Sequence, residues 1–148
     1  LEENRRGGFR RHEPTLKVKG ALMPAGTFVT TINCMDGRVQ DPVNLYLKKR
    51  YGADHVDVIT NPGPIKILAD DSPAELVRSI KDRVAISVEQ HGSGVIALVG
   101  HHDCAGNPVD KNKQLEQLAA AEKKVASWEF PAKIIKMYVN DDWQVEVL

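Results

Sequence analysis

Two spacings of apolar residues alternate along this chain, one of period two and one of helical period. Phe28-Val29-Thr30-Thr31-Ile32-Asn33 is a β-branched run that reads as a strand. Asp41-Pro42 then reads as a helix start, with Asp as the cap and Pro in the first turn. Val43, Leu45, Tyr46 and Leu47 follow, and Tyr51-Gly52 closes the segment. Lys48, Lys49 and Arg50 form its solvated end, where cations meet the negative end of the helix dipole. A second strand covers 55–60, stopped by the loop Asn61-Pro62-Gly63-Pro64.

Ser72-Pro73-Ala74-Glu75 has the form of a capping box and predicts a helix to about Gln90. Its buried stripe is Leu76, Ile80, Val84 and Val88. His91-Gly92 ends it, with His91 facing the dipole. Residues 94–99 are continuously apolar, as expected of a central strand covered on both faces. A further helix is predicted from about Asp110 to Ser127, burying Leu115, Leu118, Val125 and the alanines Ala119 and Ala126. Residues 133–139 form a fourth strand, Asn140-Asp141-Asp142 a turn, and 143–148 a last strand at an edge.

Strands alternating with helices predict an α/β fold, with a mainly parallel central β-sheet flanked by helices. The first 26 residues are polar and basic, with the cluster Arg5-Arg6-Gly7-Gly8-Phe9-Arg10-Arg11, and are expected to form an N-terminal arm. The remainder, 27–148, is expected to be one α/β domain. At 148 residues the chain has room for one ordinary core.

Composition narrows the function. Formal net charge is zero, which gives no case for nucleic acid, and no apolar run reaches the length of a membrane span. The chain begins at Leu1 rather than Met and has no evident signal peptide, so a removed targeting segment stays open. The two cysteines, Cys34 and Cys104, could be a disulfide, two unrelated buried thiols or metal ligands. If they are reduced, a cytoplasmic location is the expectation.

Their neighbours favour metal. The first strand delivers Cys34, with Asp36 two residues on and Arg38 two beyond that; the apolar run 94–99 delivers His101, with Cys104 three residues later. Two thiolates and an imidazole suit Zn2+ and leave a fourth tetrahedral position for water. Asp36 could fill that position or accept a hydrogen bond from the water, and Arg38 is the cation placed to hold it. In open parallel sheets, ligands gather at the carboxyl ends of strands where strand order reverses. If the first and third strands are neighbours, one metal can therefore be shared between the two motifs.

C-x-D-x-R followed at a distance by H-x-x-C resembles the β-class carbonic anhydrases, from about Phe28 onward. The resemblance implies a β-carbonic anhydrase-like fold, zinc on Cys34, His101 and Cys104, and catalytic roles for Asp36 and Arg38. It implies a lyase that hydrates CO2 reversibly to bicarbonate by zinc-bound hydroxide, more active on the alkaline side. Zinc hydrolysis of COS or CS2 on the same site, and a non-catalytic zinc protein, are the alternatives. Small-molecule substrate, no nucleic acid, no membrane and a homodimer or higher homo-oligomer are the implied partners. Val39, Ile65 and Ile67 are candidate pocket walls, and His102, His55 or buffer candidate proton carriers. The family usually has Arg-Asn-Ala-Gly where this chain has Thr60-Asn61-Pro62-Gly63, and Gly where it has Ala105, with Gly106 supplying backbone freedom one residue later. This chain has no Gln before Cys34, where the plant-like branch has one that helps bind substrate, and so resembles the smaller branch of the family in archaea and many bacteria.

Overall fold

The computed structural model describes residues 26–148 throughout and, before them, only the backbone of two short antiparallel strands, β1 (Leu16–Val18) and β2 (Ala21–Met23). The basic cluster at Arg5–Arg11 lies outside the described residues. The main sheet contains β3 (Phe28–Cys34), β4 (His55–Asn61), β5 (Val95–His101), β6 (Lys133–Val139) and β7 (Val145–Val147). Their order is β4-β3-β5-β6-β7, parallel except for β7. The chain is thus α/β, with a mainly parallel sheet flanked by four helices.

The alternation inside β3 and β5 explains how both faces are covered. Ile32, Ile96 and Leu98 face one way and pack with α2 (Pro64–Asp70), α3 (Ala74–Ala85) and α4 (Lys111–Ala126) through Ile65, Leu68, Ile80, Val84 and Leu118. Val29, Ala97 and Val99 face the other way and pack with α1 (Gln40–Tyr51) through Val43 and Leu47. β3 adds β4 on one side and β5 on the other, so the strand order reverses between β3 and β5. The crevice for a ligand lies at their carboxyl ends.

Several predicted boundaries shift, each for a local reason. Asp41 does not cap α1: the chain passes first through a 3-10 turn, Gly37–Val39, capped by Asp36, whose carboxylate accepts from the Arg38 N–H. Ser72 does not cap α3, because the N-cap position is taken by Pro73, which has no side-chain acceptor. That helix ends at Ala85 and continues as one π-helical turn, Ile86–Gln90. His91 does not merely face a dipole: its Nδ1 lies 2.6 Å from Asp57 Oδ2, which also accepts from Ser87 Oγ at 2.7 Å. Ala119 and Ala126 are exposed; the buried face of α4 is carried by Gln114, Gln117, Leu118, Ala121 and Val125. The last strand is shorter than 143–148, and Trp143 belongs to the turn before it. Among the described residues no helix is long and apolar enough to cross a membrane.

Candidate metal centre

Cys34 is the last residue of β3 and His101 the last of β5, so parallel pairing brings both to the same crevice. Cys104 follows one turn later. All three are buried, their ligand atoms lie within 4.8 Å of one another, and the two sulfurs are 3.8 Å apart and unbonded. Together these residues could hold a metal ion.

The histidine tests whether the set suits a metal. His101 Nδ1 is 2.7 Å from the His102 carbonyl and donates to it, which leaves the Nε2 lone pair free. Nε2 is buried and has no hydrogen-bond partner among the described residues. An orphaned imidazole nitrogen beside two free thiols is the arrangement a cation would complete, and the carbonyl on the other nitrogen is the usual support for a ligating histidine. The cavity there, lined by Cys34, Ile65, His101 and Cys104 among others, is about 10 Å³, the size of one water or ion.

Without a metal the two thiols are unequal. A hydrogen bond with Cys104 lowers the Cys34 pKa against the effect of burial, with His101 helping. The Cys104 pKa is raised by the Cys34 sulfur beside it and by burial. For His101, burial works to lower the pKa, and the neighbouring Cys34 and the His102 carbonyl outweigh it, so the net shift is upward. The three groups thus perturb one another's protonation where they converge, and a cation bound there would favour the deprotonated thiols and the neutral imidazole.

Asp36 and Arg38 follow Cys34 in the chain and are less buried than the three candidate ligands. Arg38 donates from Nη2 to Asp36 Oδ2 at 2.7 Å and from Nε to Oδ1 at 3.0 Å, a bidentate pair. Hydrogen bonding from Arg38 holds the Asp36 carboxyl down to about 2, so it is ionised at any ordinary pH.

A family described as "Putative carbonic anhydrase" matches residues 24–148. The chain belongs to this carbonic anhydrase family. No curated protein matches it. Within the matched residues, C-x-D-x-R and H-x-x-C lie at the carboxyl ends of the adjacent strands β3 and β5.

Other residues singled out in the sequence divide by position. Ile65 lines the cavity, Val39 is fully buried in the cluster that holds both cysteines, and Ile67 packs instead into the core beneath α3 and α4. His55 begins β4, opposite Phe28, and so lies at the far end of the sheet from the crevice. His102 is exposed and adjoins the site. Gly106 supplies space rather than unusual backbone angles: a Cβ there would sit 2.5 Å from the Pro62 carbonyl carbon. The Thr60 carbonyl and Asn61 Oδ1 accept from Arg83 of α3, at 3.5 and 2.9 Å.

Sequence reasoning missed the polar side chains that fix the ligand loops. Gln114 clasps the His101 backbone: its Oε1 accepts from the His101 N–H at 2.9 Å and its Nε2 donates to the His101 carbonyl at 2.7 Å. Asn33 Oδ1 accepts from the Cys34 N–H at 2.9 Å. Gln40 Nε2 donates to the carbonyls of Cys34 and Asp36, at 2.7 and 3.0 Å. The available signal was placement, since Gln114 and Gln117 fall on the same helical face as Leu118, Ala121 and Val125.

Proposed function

We propose that this protein is a zinc-dependent carbonic anhydrase of the β class, a lyase that interconverts CO2 and bicarbonate. The observation that carries the reading is the unpartnered His101 Nε2 between two buried free cysteines, beside a carboxylate already tied to an arginine. Cys34, His101 and Cys104 would hold the ion, and sulfur–nitrogen donors of this kind suit zinc. When bound, zinc supplies Lewis acidity that brings the pKa of a water toward about 7, making hydroxide available to attack the carbon of CO2.

The protein's own groups do the rest. Asp36, ionised and able only to accept, would take a hydrogen bond from the O–H of the nucleophile and so orient it. Arg38 occupies both oxygens of Asp36 and would keep the carboxylate from turning onto a bound ion. Gln114 and the His102 carbonyl fix the orientation of His101. Ile65 and Val99 give the crevice apolar walls suited to an uncharged substrate. His102 is exposed beside the crevice whereas His55 stands at the opposite end of the sheet, so in this reading His102, with buffer, carries the released proton. Assembly as a homodimer or larger and residence in the cytoplasm are part of the same proposal.

The test is stopped-flow CO2 hydration on protein of known zinc content, from neutral to alkaline pH. Hydration that rises with pH, follows zinc occupancy and is lost in Cys34→Ser is the expected result. A fully zinc-loaded protein inactive at alkaline pH overturns it; turnover of COS or CS2 by that same preparation would then identify the hydrolase alternative.

A further inference from the structure

Arg38 does more than bind Asp36, and what it touches on its other side is unusual. Its guanidinium carbon lies 4.4 Å from the centre of the Trp143 ring, and its Nη1 and Nη2 reach Asp103 Oδ2 and the Asp103 carbonyl at 3.2 and 3.1 Å. Trp143 comes from the turn between β6 and β7, remote in sequence from both motifs. Asp103 sits between the two candidate ligands His101 and Cys104.

Both residues are held in the left-handed backbone region, Asp103 at φ 55° and Trp143 at φ 58°. For a residue as bulky as Trp that conformation is a true outlier and costs stability. The turn is fastened to keep it there. Asn140 Oδ1 accepts from the N–H groups of Asp142 and Gln144, each at 3.0 Å, and the Asn140 carbonyl accepts from the Trp143 N–H at 3.0 Å. The outcome of the strain is that an indole face covers one side of Arg38 while Asp103 takes the donors that Asp36 leaves free.

We propose that Trp143 and Asp103 are positioning residues that clamp Arg38, and through it decide whether Asp36 stays on the arginine or turns to occupy the metal. The proposal rests on the metal-binding part of the function proposed above. A guanidinium with five donors can satisfy two carboxylates and one carbonyl at once only while its plane is fixed. The ring fixes the plane, and Asp103 fixes the rotation within it. Loss of either lets Arg38 swing into solvent, since it is already half exposed. The carboxylate it releases is two residues from Cys34 and turns to the nearest cation.

The experiment is thiocyanate binding to the cobalt(II)-substituted protein, followed by visible absorption. The anion needs a free coordination position and no turnover is involved. Trp143→Leu and Asp103→Asn should each weaken thiocyanate binding by roughly two- to fivefold, in the range a cation–π contact supports. The two together should approach the loss seen in Arg38→Ala, and Trp143→Phe, which keeps a ring, should recover most of it. In an Asp36→Ala background the same substitutions should change nothing, because no carboxylate remains to close the site. A purely structural role would weaken binding equally with or without Asp36, and that result, or unchanged affinity in the double variant, overturns the proposal. Should Trp143→Leu fail to fold, the exposed Asp103→Asn carries the test by itself. A protein that takes up no cobalt refutes this proposal and the metal site together. One that binds cobalt and thiocyanate but hydrates no CO2 refutes only the activity.

Discussion

Replacing Gly106 by alanine would set a Cβ 2.5 Å from the Pro62 carbonyl carbon and 2.8 Å from both Gly63 N and Pro62 Cβ. Ordinary carbon contacts lie at about 3.5 Å, so the two loops must part by about 1 Å. The atoms met are mostly backbone and cannot swing away as a flexible side chain would. Overpacking of this kind costs about 1–3 kcal/mol. Against it stands a gain of about 0.4–1 kcal/mol from the narrower unfolded state of alanine, since Gly106 does not have a positive φ that alanine would resist. The net expectation is a loss of about 1–2 kcal/mol. With a urea slope of about 1–3 kcal/mol per molar, the midpoint should fall by about 0.3–2 M in metal-free protein. Gly94→Ala is the control, because a Cβ there meets nothing within 4 Å among the described residues; it should be neutral or slightly stabilising. The displaced loops carry Gly63 and Cys104, both at the cavity, so zinc should also stabilise Gly106→Ala less than the parent. Equal urea midpoints for Gly106→Ala and Gly94→Ala would refute the reasoning.

Two further outcomes follow from the side chains described. Gln114→Leu strips the partners from a buried backbone N–H and carbonyl of His101, which should cost about 2–4 kcal/mol by urea denaturation and weaken zinc binding in a competitive chelator titration; a variant with unchanged zinc affinity would show that His101 needs no clasp. Asp54 has its pKa lowered by hydrogen bonds from the Thr27 N–H and hydroxyl. Its contribution is therefore complete above the unfolded carboxylate value of about 3.9 and is lost as pH falls below it, so Asp54→Asn should flatten the acid limb of a stability–pH curve, and parallel acid limbs would contradict this.

How much of this was legible differs from element to element. β3 and β5 could be read because β-branched and continuously apolar runs have few other uses, and their ends carried Cys34 and His101. α2 gives no signal of its own in the sequence, because Asn61-Pro62-Gly63-Pro64 looks like a terminator and its loop reading stops there. Pro64 in fact opens a helix of 7 residues, too short to signal itself, which exists because Ile65 and Leu68 are buried between the sheet and α4. The cap of α1 was misplaced for a related reason. Asp41 has the chemistry of a cap, but the 3-10 turn before α1, capped by Asp36 through the Arg38 N–H, already carries the chain into the helix at Gln40.

The sequence by itself determined the α/β class, the pair of motifs and the residue types that suit a metal, because periodicity and donor chemistry are local properties. It also carried the Asp36–Arg38 pairing, since two residues so close in the chain meet in any tight turn. Tertiary structure decided that β3 and β5 are neighbours, which alone brings Cys34 to His101 and Cys104. It decided that Gln114 reaches back from α4 to His101, and that Trp143 and Asp103 arrive at Arg38 from separate loops. Such contacts depend on which elements share a face and an end of the sheet. No window along the chain contains that information, because the sheet order that creates it is set by the packing of all the strands and helices together.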